Sequence, residues 1–258
     1  MSTVMSTSYN ASFVALSYAI AAIGAFVALT AATRIAGPGG RLNMINVLSA
    51  GLALGGIGVW SMHFIGMLAL DVRMGIGYSL PETLVSLVAA VLATAAAMAW
   101  VGVKPSMGRL IGAGVLLGLA VCVMHYLGMY GMRFAGFFQW SSELVGLSIV
   151  IAIVAATAAL WLGLVVRNIA ARVAASLIMA AAVCAMHYTG MAAADFVCTS
   201  PNPMATPQGF GIISSLQLPV LVSVLALGMA FVISVDQAFQ HFALGEQRRM
   251  AAMRRAAR

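Results

Sequence analysis

Three hexapeptides hold the residues of this 258-residue chain best suited to chemistry. Met62-His63-Phe64-Ile65-Gly66-Met67 recurs as Met124-His125-Tyr126-Leu127-Gly128-Met129 and as Met186-His187-Tyr188-Thr189-Gly190-Met191. The period is 62 residues in both steps. A His and the Met four positions later share a helix face, which pairs His63 with Met67, His125 with Met129 and His187 with Met191. The leading Met62, Met124 and Met186 sit about 100° round the helix and point toward a neighbouring groove. Imidazole with thioether is a copper ligand set: thioether favours Cu(I), while imidazole accepts Cu(II) and also zinc, iron and nickel. The lack of thiolate clusters and paired carboxylates argues against structural zinc and against magnesium or calcium. Haem competes with copper, because His/Met and His/His are both axial sets.

The copies have diverged around these positions. Aligning windows 52–71, 114–133 and 176–195 leaves five identical columns. Four are the Met, His, Gly and Met of the motif. The fifth is Val59, Val121 and Val183, unremarkable in an apolar helix. The motif Gly lets another helix approach closely, and Gly56, Gly118 and Ala180 extend that small face two turns earlier. A single apolar-embedded His is most simply a packing residue. Three at one depth are another matter, because ionisable groups in a membrane are expensive and default to function. Met44, Met98, Met107, Met179 and Met229 read as gap-fillers. The hydroxyls of Tyr126 and Tyr188 read first as interfacial anchors. Asp71 and Asp195 read first as ion-pair partners of Arg73 and Arg133 and second as groups that meet a cation entering from outside. Cys122 and Cys184, one turn before their His, read first as packing residues and second as additional soft ligands. Cys198 falls in an outer loop without an evident partner, and His241 has no assigned role.

The elements that position these groups follow from composition. The chain is 63% hydrophobic and 7% charged, against about 45–50% and about 25% for an ordinary soluble domain. That excludes a soluble globule, a disordered tail and a disulfide scaffold. A spanning helix needs roughly 20 apolar residues, and runs of that kind fall near 10–33, 44–70, 81–103, 110–132, 144–166, 173–195 and 216–239. The runs are continuous, without barrel alternation, so they read as helices. The expected fold is an all-α membrane protein of seven transmembrane helices: three two-helix repeats of 62 residues plus a seventh helix. Residues 1–240 form the membrane domain and 241–258 a basic cytoplasmic tail. Repeats of one orientation are related by an axis along the membrane normal, which sets the three His at one depth near the outer face. Of the thirteen Lys and Arg, only Arg73 and Arg133 fall on one side. Arg34, Arg41, Lys104, Arg109, Arg167, Arg172 and the tail's Arg248, Arg249, Arg254, Arg255 and Arg258 fall on the other. This places the N-terminus outside and the C-terminus in the cytoplasm. It also turns the net charge of +7 into topology information and a tail suited to anionic lipid, with no nucleic-acid partner implied. Residues 1–10 lack a basic n-region, so the first run reads as a retained helix.

On these motifs the sequence resembles the MHYT domain family, named for Met-His-Tyr-Thr. Met186-His187-Tyr188-Thr189 is the literal tetrapeptide, and the other two copies are variants. The resemblance spans roughly residues 10–240. It implies a sensor module of the bacterial cytoplasmic (inner) membrane that binds copper through motif Met, His and Tyr residues. It further implies that a diatomic gas such as O2, CO or NO is detected through that copper. Tyr126 and Tyr188 then join the candidate site as cofactor-binding residues. Phe64 departs from the pattern, so Tyr is not a required ligand in the first copy. Relatives of this kind carry cytoplasmic output domains. Here the sequence ends about 20 residues after the seventh span, so the expected output is through a cytoplasmic signalling partner.

Three other functions compete with this reading. A copper or small-molecule transporter suits repeats around a central site, but the His level is off-centre and no polar ladder leads inward. An enzyme is not expected, because no Ser/His/Asp set or H-E-x-x-H is present. Nor is a retinal protein, because Lys104, the only lysine, lies in a loop. The expected mechanism holds metal between the second, fourth and sixth spans. A ligand or redox change shifts those helices, and the seventh carries the movement inward.

Overall fold

Polar residues at the edge of each apolar run fix where the helices begin. Asn10, Asn43, Ser106, Ser141 and Asn168 each accept backbone N–H groups of the turn that follows, satisfying donors that lipid would leave unpaired. The computed structural model describes residues 3–36 and 41–256; Arg258, counted above with the tail, lies outside them. Seven helices are long and apolar enough to cross a membrane. They are α1 (Ala11–Ala32), α2 (Met44–Leu68), α3 (Leu80–Val103), α4 (Met107–Tyr130), α5 (Ser142–Val165), α6 (Ile169–Ala192) and α7 (Gln217–Ala256). The spans lie where the apolar runs place them, within about four residues. The exception is the end of α7, which continues unbroken through the expected boundary at 240 as one 40-residue helix.

The first six helices close into a ring. Each packs on the next, and α6 packs back on α1. Helices α2, α4 and α6 also touch one another across the centre, which makes them the inner set and α1, α3 and α5 the outer. A side-chain hydrogen bond at the motif level joins each inner helix to an outer neighbour. Trp60 Nε1 donates to Ser86 Oγ at 3.0 Å, Tyr126 meets Ser148 at 2.7 Å and Tyr188 meets Ser17 at 2.9 Å. Each serine also donates to a carbonyl three residues earlier in its own helix, which leaves its oxygen to accept.

Helix α2 departs from its counterparts. Gly51–Ser61 is π-helical, and Ser61 Oγ donates to the Gly56 carbonyl at 3.1 Å. From cap to His is twenty residues here (Asn43 to His63) but nineteen in α4 (Ser106 to His125) and α6 (Asn168 to His187). The wider coil takes up the extra residue while keeping His63 on the axis. Helix α7 lies outside the ring, packed chiefly on this segment. Met229 covers Gly56, so that glycine serves α7 rather than extending the axial small face. At the basic end Asp236 accepts from Ser49 at 3.1 Å and from Gln240 at 2.9 Å, and Gln240 also donates to Asn46 at 3.1 Å.

The opposite end carries eight short strands that hydropathy alone does not reveal. Sheet orders are β1-β7-β6 (Thr3–Val4, Ala194–Cys198, Gly136–Trp140), β2-β3 (Thr7–Tyr9, Leu70–Val72) and β5-β4-β8 (Met132–Arg133, Gly77–Ser79, Ile212–Ser214). They close the end of the bundle nearest the motifs. They also correct the ion-pair expectation: Arg133 pairs with Glu82 at 2.6 Å. Asp71 and Asp195 instead lie on β3 and β7, opposite Ser8 and Gln139, with no ion pair among the described residues. Cys198 is a buried strand residue rather than a loop residue.

Candidate metal centre

The motif places one His on each inner helix at the same level, and the closed ring turns all three toward the axis. His63, His125 and His187 are buried, at most 1% exposed. His63 Nδ1 lies 3.1 Å from both His125 Nδ1 and His187 Nδ1. The ring centroids are 4.8, 5.1 and 5.2 Å apart, with each pair of rings near perpendicular. These are the one group of three potential metal-ligating His, Cys, Asp or Glu side chains among the described residues.

The motif glycines seat the rings in a cycle. A Cβ at Gly128 would collide with His63 Nε2, one at Gly190 with His125 Nε2, and one at Gly66 with His187 Nε2. Each imidazole thus lies on the glycine of a neighbouring copy. The sequence predicts that these glycines permit close approach; it does not say that the approaching group is the next repeat's own histidine. All three Nε2 atoms are buried without a hydrogen-bond partner.

The remaining motif residues divide by layer. Met67, Met129 and Met191 lie one turn further toward the strands on the His face, fully buried in the main core. Met62 packs with Ala21, Ala180 and Cys184, and Met186 with Cys122 and Ala152, so these leading methionines fill helix contacts. Met124 is wholly buried in the main core. Tyr126 and Tyr188 stand edge-on to their own His at 4.8 and 4.7 Å, but their hydroxyls reach outward to Ser148 and Ser17. In the first copy the outward donor is Trp60, at the position held by Cys122 and Cys184 in the others, and Phe64 keeps the ring contact with His63 at 4.8 Å. Sequence reading missed the role of Trp60. Its signal was the paired exchange of Trp/Phe for Cys/Tyr. His241 lies on α7 beyond the membrane stretch, far along the chain from this centre.

The donors fit a single ion. Two imidazole nitrogens held about 2.0 Å from a tetrahedral metal are roughly 3.3 Å apart, close to the 3.1 Å of the His63–His125 and His63–His187 pairs, and the three donor atoms all lie within 4.8 Å of one another. A neutral imidazole carries one N–H. Three Nδ1 lone pairs directed at one cation leave that N–H on each Nε2, so the ion replaces the close contacts among the Nδ1 atoms and the Nε2 atoms stay packed on the motif glycines.

Three segments of the chain, residues 56–114, 118–176 and 181–245, match the MHYT family model, described as a bacterial signalling protein N-terminal repeat. Each matched unit begins in a motif helix, so the family unit is phased one helix later than the pairing read from spacing. Among similar proteins, the bifunctional diguanylate cyclase/cyclic di-GMP phosphodiesterase MucR of Pseudomonas aeruginosa is 34% identical over 89% of this chain. The cyclic di-GMP phosphodiesterase NbdA of the same organism is 33% identical over 86%, and the signaling protein YkoW of Bacillus subtilis is 29% identical over 73%. The chain spans about a third or less of these relatives' lengths (34%, 29% and 24%). No solved structure matches.

Proposed function

The chain belongs to the MHYT family of bacterial membrane signalling repeats, and from that premise we propose that its histidine trio holds one copper ion and reports a diatomic gas (O2, CO or NO) or redox state to the cytoplasm. The observation that carries this reading is the convergence of three buried Nδ1 atoms with no other partner. Neutral nitrogen donors flanked by thioethers favour Cu(I) over the hard cations. His63, His125 and His187 are the binding residues, and Gly66, Gly128 and Gly190 orient them. The thioethers of Met67, Met129 and Met191 stand on the outer side. Tyr126, Tyr188 and Trp60 act as positioning residues, fixing each inner helix to an outer one. Bound copper would supply a one-electron couple and affinity for a small diatomic ligand. Haem fits poorly, because rings in mutual edge contact leave no slot for a macrocycle.

Helix α2 is the route inward, since it carries His63 at one end and grips α7 at the other. With the N-terminus outside, as the basic residues place it, the trio faces the outer leaflet of the bacterial inner membrane and α7 leads into the cytoplasm. The relatives named above are signalling and cyclic di-GMP proteins, and a cytoplasmic signalling partner or domain downstream of α7 is the natural recipient. The similar proteins offer nothing for the transport alternative. The test is metal content of the purified chain after reconstitution with Cu(I) under reducing conditions. One copper per chain is expected, with clear loss in His63→Ala, His125→Ala and His187→Ala. Absence of copper from the folded wild-type chain sinks the reading.

A further inference from the structure

The fifth identical column, Val59, Val121 and Val183, takes no part in the metal centre. Each lies four residues, about one turn, before its His on an inner helix, so the three sit at one level below the trio. All three line one cavity of about 40 Å3 in the middle of the bundle. Met186 and Met179 line it from α6, Leu117 from α4, and alanines 152, 155, 156 and 159 from α5. The single hydroxyl in the lining, Thr94, already donates to the Ala90 carbonyl at 2.8 Å.

We propose that this chamber is a binding site for one small uncharged apolar molecule of diatomic size, held against the Val59, Val121 and Val183 layer below the histidines. Three properties select that ligand class. By this measure of volume one water needs roughly 10–15 Å3, so the chamber has room for a diatomic molecule or a single xenon atom but not for a folded acyl chain. The lining offers water at most one acceptor, the Thr94 hydroxyl oxygen, short of the two to four polar partners it needs, so the cavity stays dry. Small apolar solutes also concentrate in the bilayer that surrounds the bundle. A valine at each of the three positions keeps the wall branched and short. A Leu or Phe there would fill the space. The chamber stands on its lining alone; only the assignment of its occupant as the sensed molecule rests on the function proposed above.

The test uses the metal-free full chain in nanodiscs, with methionine and valine methyl groups labelled for NMR, and xenon as the probe. Saturable xenon-dependent shifts are expected at Met179, Met186 and the three valines, with none at Met44 or Met250. Val121→Phe should abolish the saturable shifts while the remaining methyl spectrum keeps its dispersion. Should that variant fail to fold, Ala155→Leu fills the chamber from the opposite wall. Absence of saturable shifts in the wild-type chain overturns the proposal, as does their survival in a folded filled variant. Xenon does not require the metal, so copper analysis and the xenon titration fail independently of each other.

Discussion

His63, His125 and His187 are held by a reciprocal arrangement in which each copy of the motif supplies a ring to one neighbour and a seat to the other. The seats are therefore as diagnostic as the rings. Gly128→Ala places a methyl against His63 Nε2 and should destabilise the fold by about 1–3 kcal/mol through overpacking. It should also weaken copper binding although it removes no ligand. Thermal unfolding and metal affinity measured together check both effects. Gly146, with open space at the Cβ position, is the control: Gly146→Ala should be neutral or stabilising by up to about 1 kcal/mol. The identities and depth of these residues are legible from a 62-residue period alone. Which ring meets which glycine is not, because a repeat fixes register along the axis and leaves the order around it open. Ser148 lies one period after Ser86, so two of the polar ties follow the spacing. Ser17 does so from a different register, and only the closed ring shows that it serves Tyr188.

At the scale of elements, α2 and α7 form one mechanical pair. Asp236 on α7 holds Ser49 and Gln240 in the inner half of the bundle. Asp236→Ala should leave copper binding intact while speeding hydrogen exchange of α7 amides around 230–245. Ser234→Ala, whose hydroxyl bonds only within its own helix, should change neither. Deleting Leu52 restores nineteen residues between cap and His in α2. The expected result is retained copper binding with altered exchange protection in α7; loss of copper binding would show that the π segment positions His63 itself. The helices were legible because lipid-crossing runs are long, uncharged and bounded by caps. The π segment was not, since Gly51–Ser61 differs from an ordinary apolar stretch only by one residue of length. The short strands were equally hidden: two to five residues each, they owe their order to pairing among the N-terminal segment and three loops.

Taken as a whole molecule, the chain is a closed ring with its chemistry near one end and its basic loops at the other. Cys122, Cys184 and Cys198 are all buried and free, which makes sidedness directly measurable. A membrane-impermeant maleimide applied to intact cells should label Gln208→Cys, on the exposed strand-end loop, and spare Lys104→Cys until the membrane is opened. The reverse pattern would invert the orientation read from the basic residues. Orientation is an expectation from charge alone, which crosses a bilayer at high cost. Ring closure was not, because it depends on α1 filling the place beside α6 and leaving α7 outside.

That exclusion of α7, together with the surplus residue in α2, bears on direction. A receiver built three times over has no preferred exit, since a disturbance on its axis is shared among three equivalent walls. One added residue breaks that degeneracy. It marks a single wall by a different coil, and the departing helix leans on that wall. The threefold part of the molecule can then be read as the antenna and the one-residue irregularity as its address: without it, a change at the centre would have nowhere in particular to go.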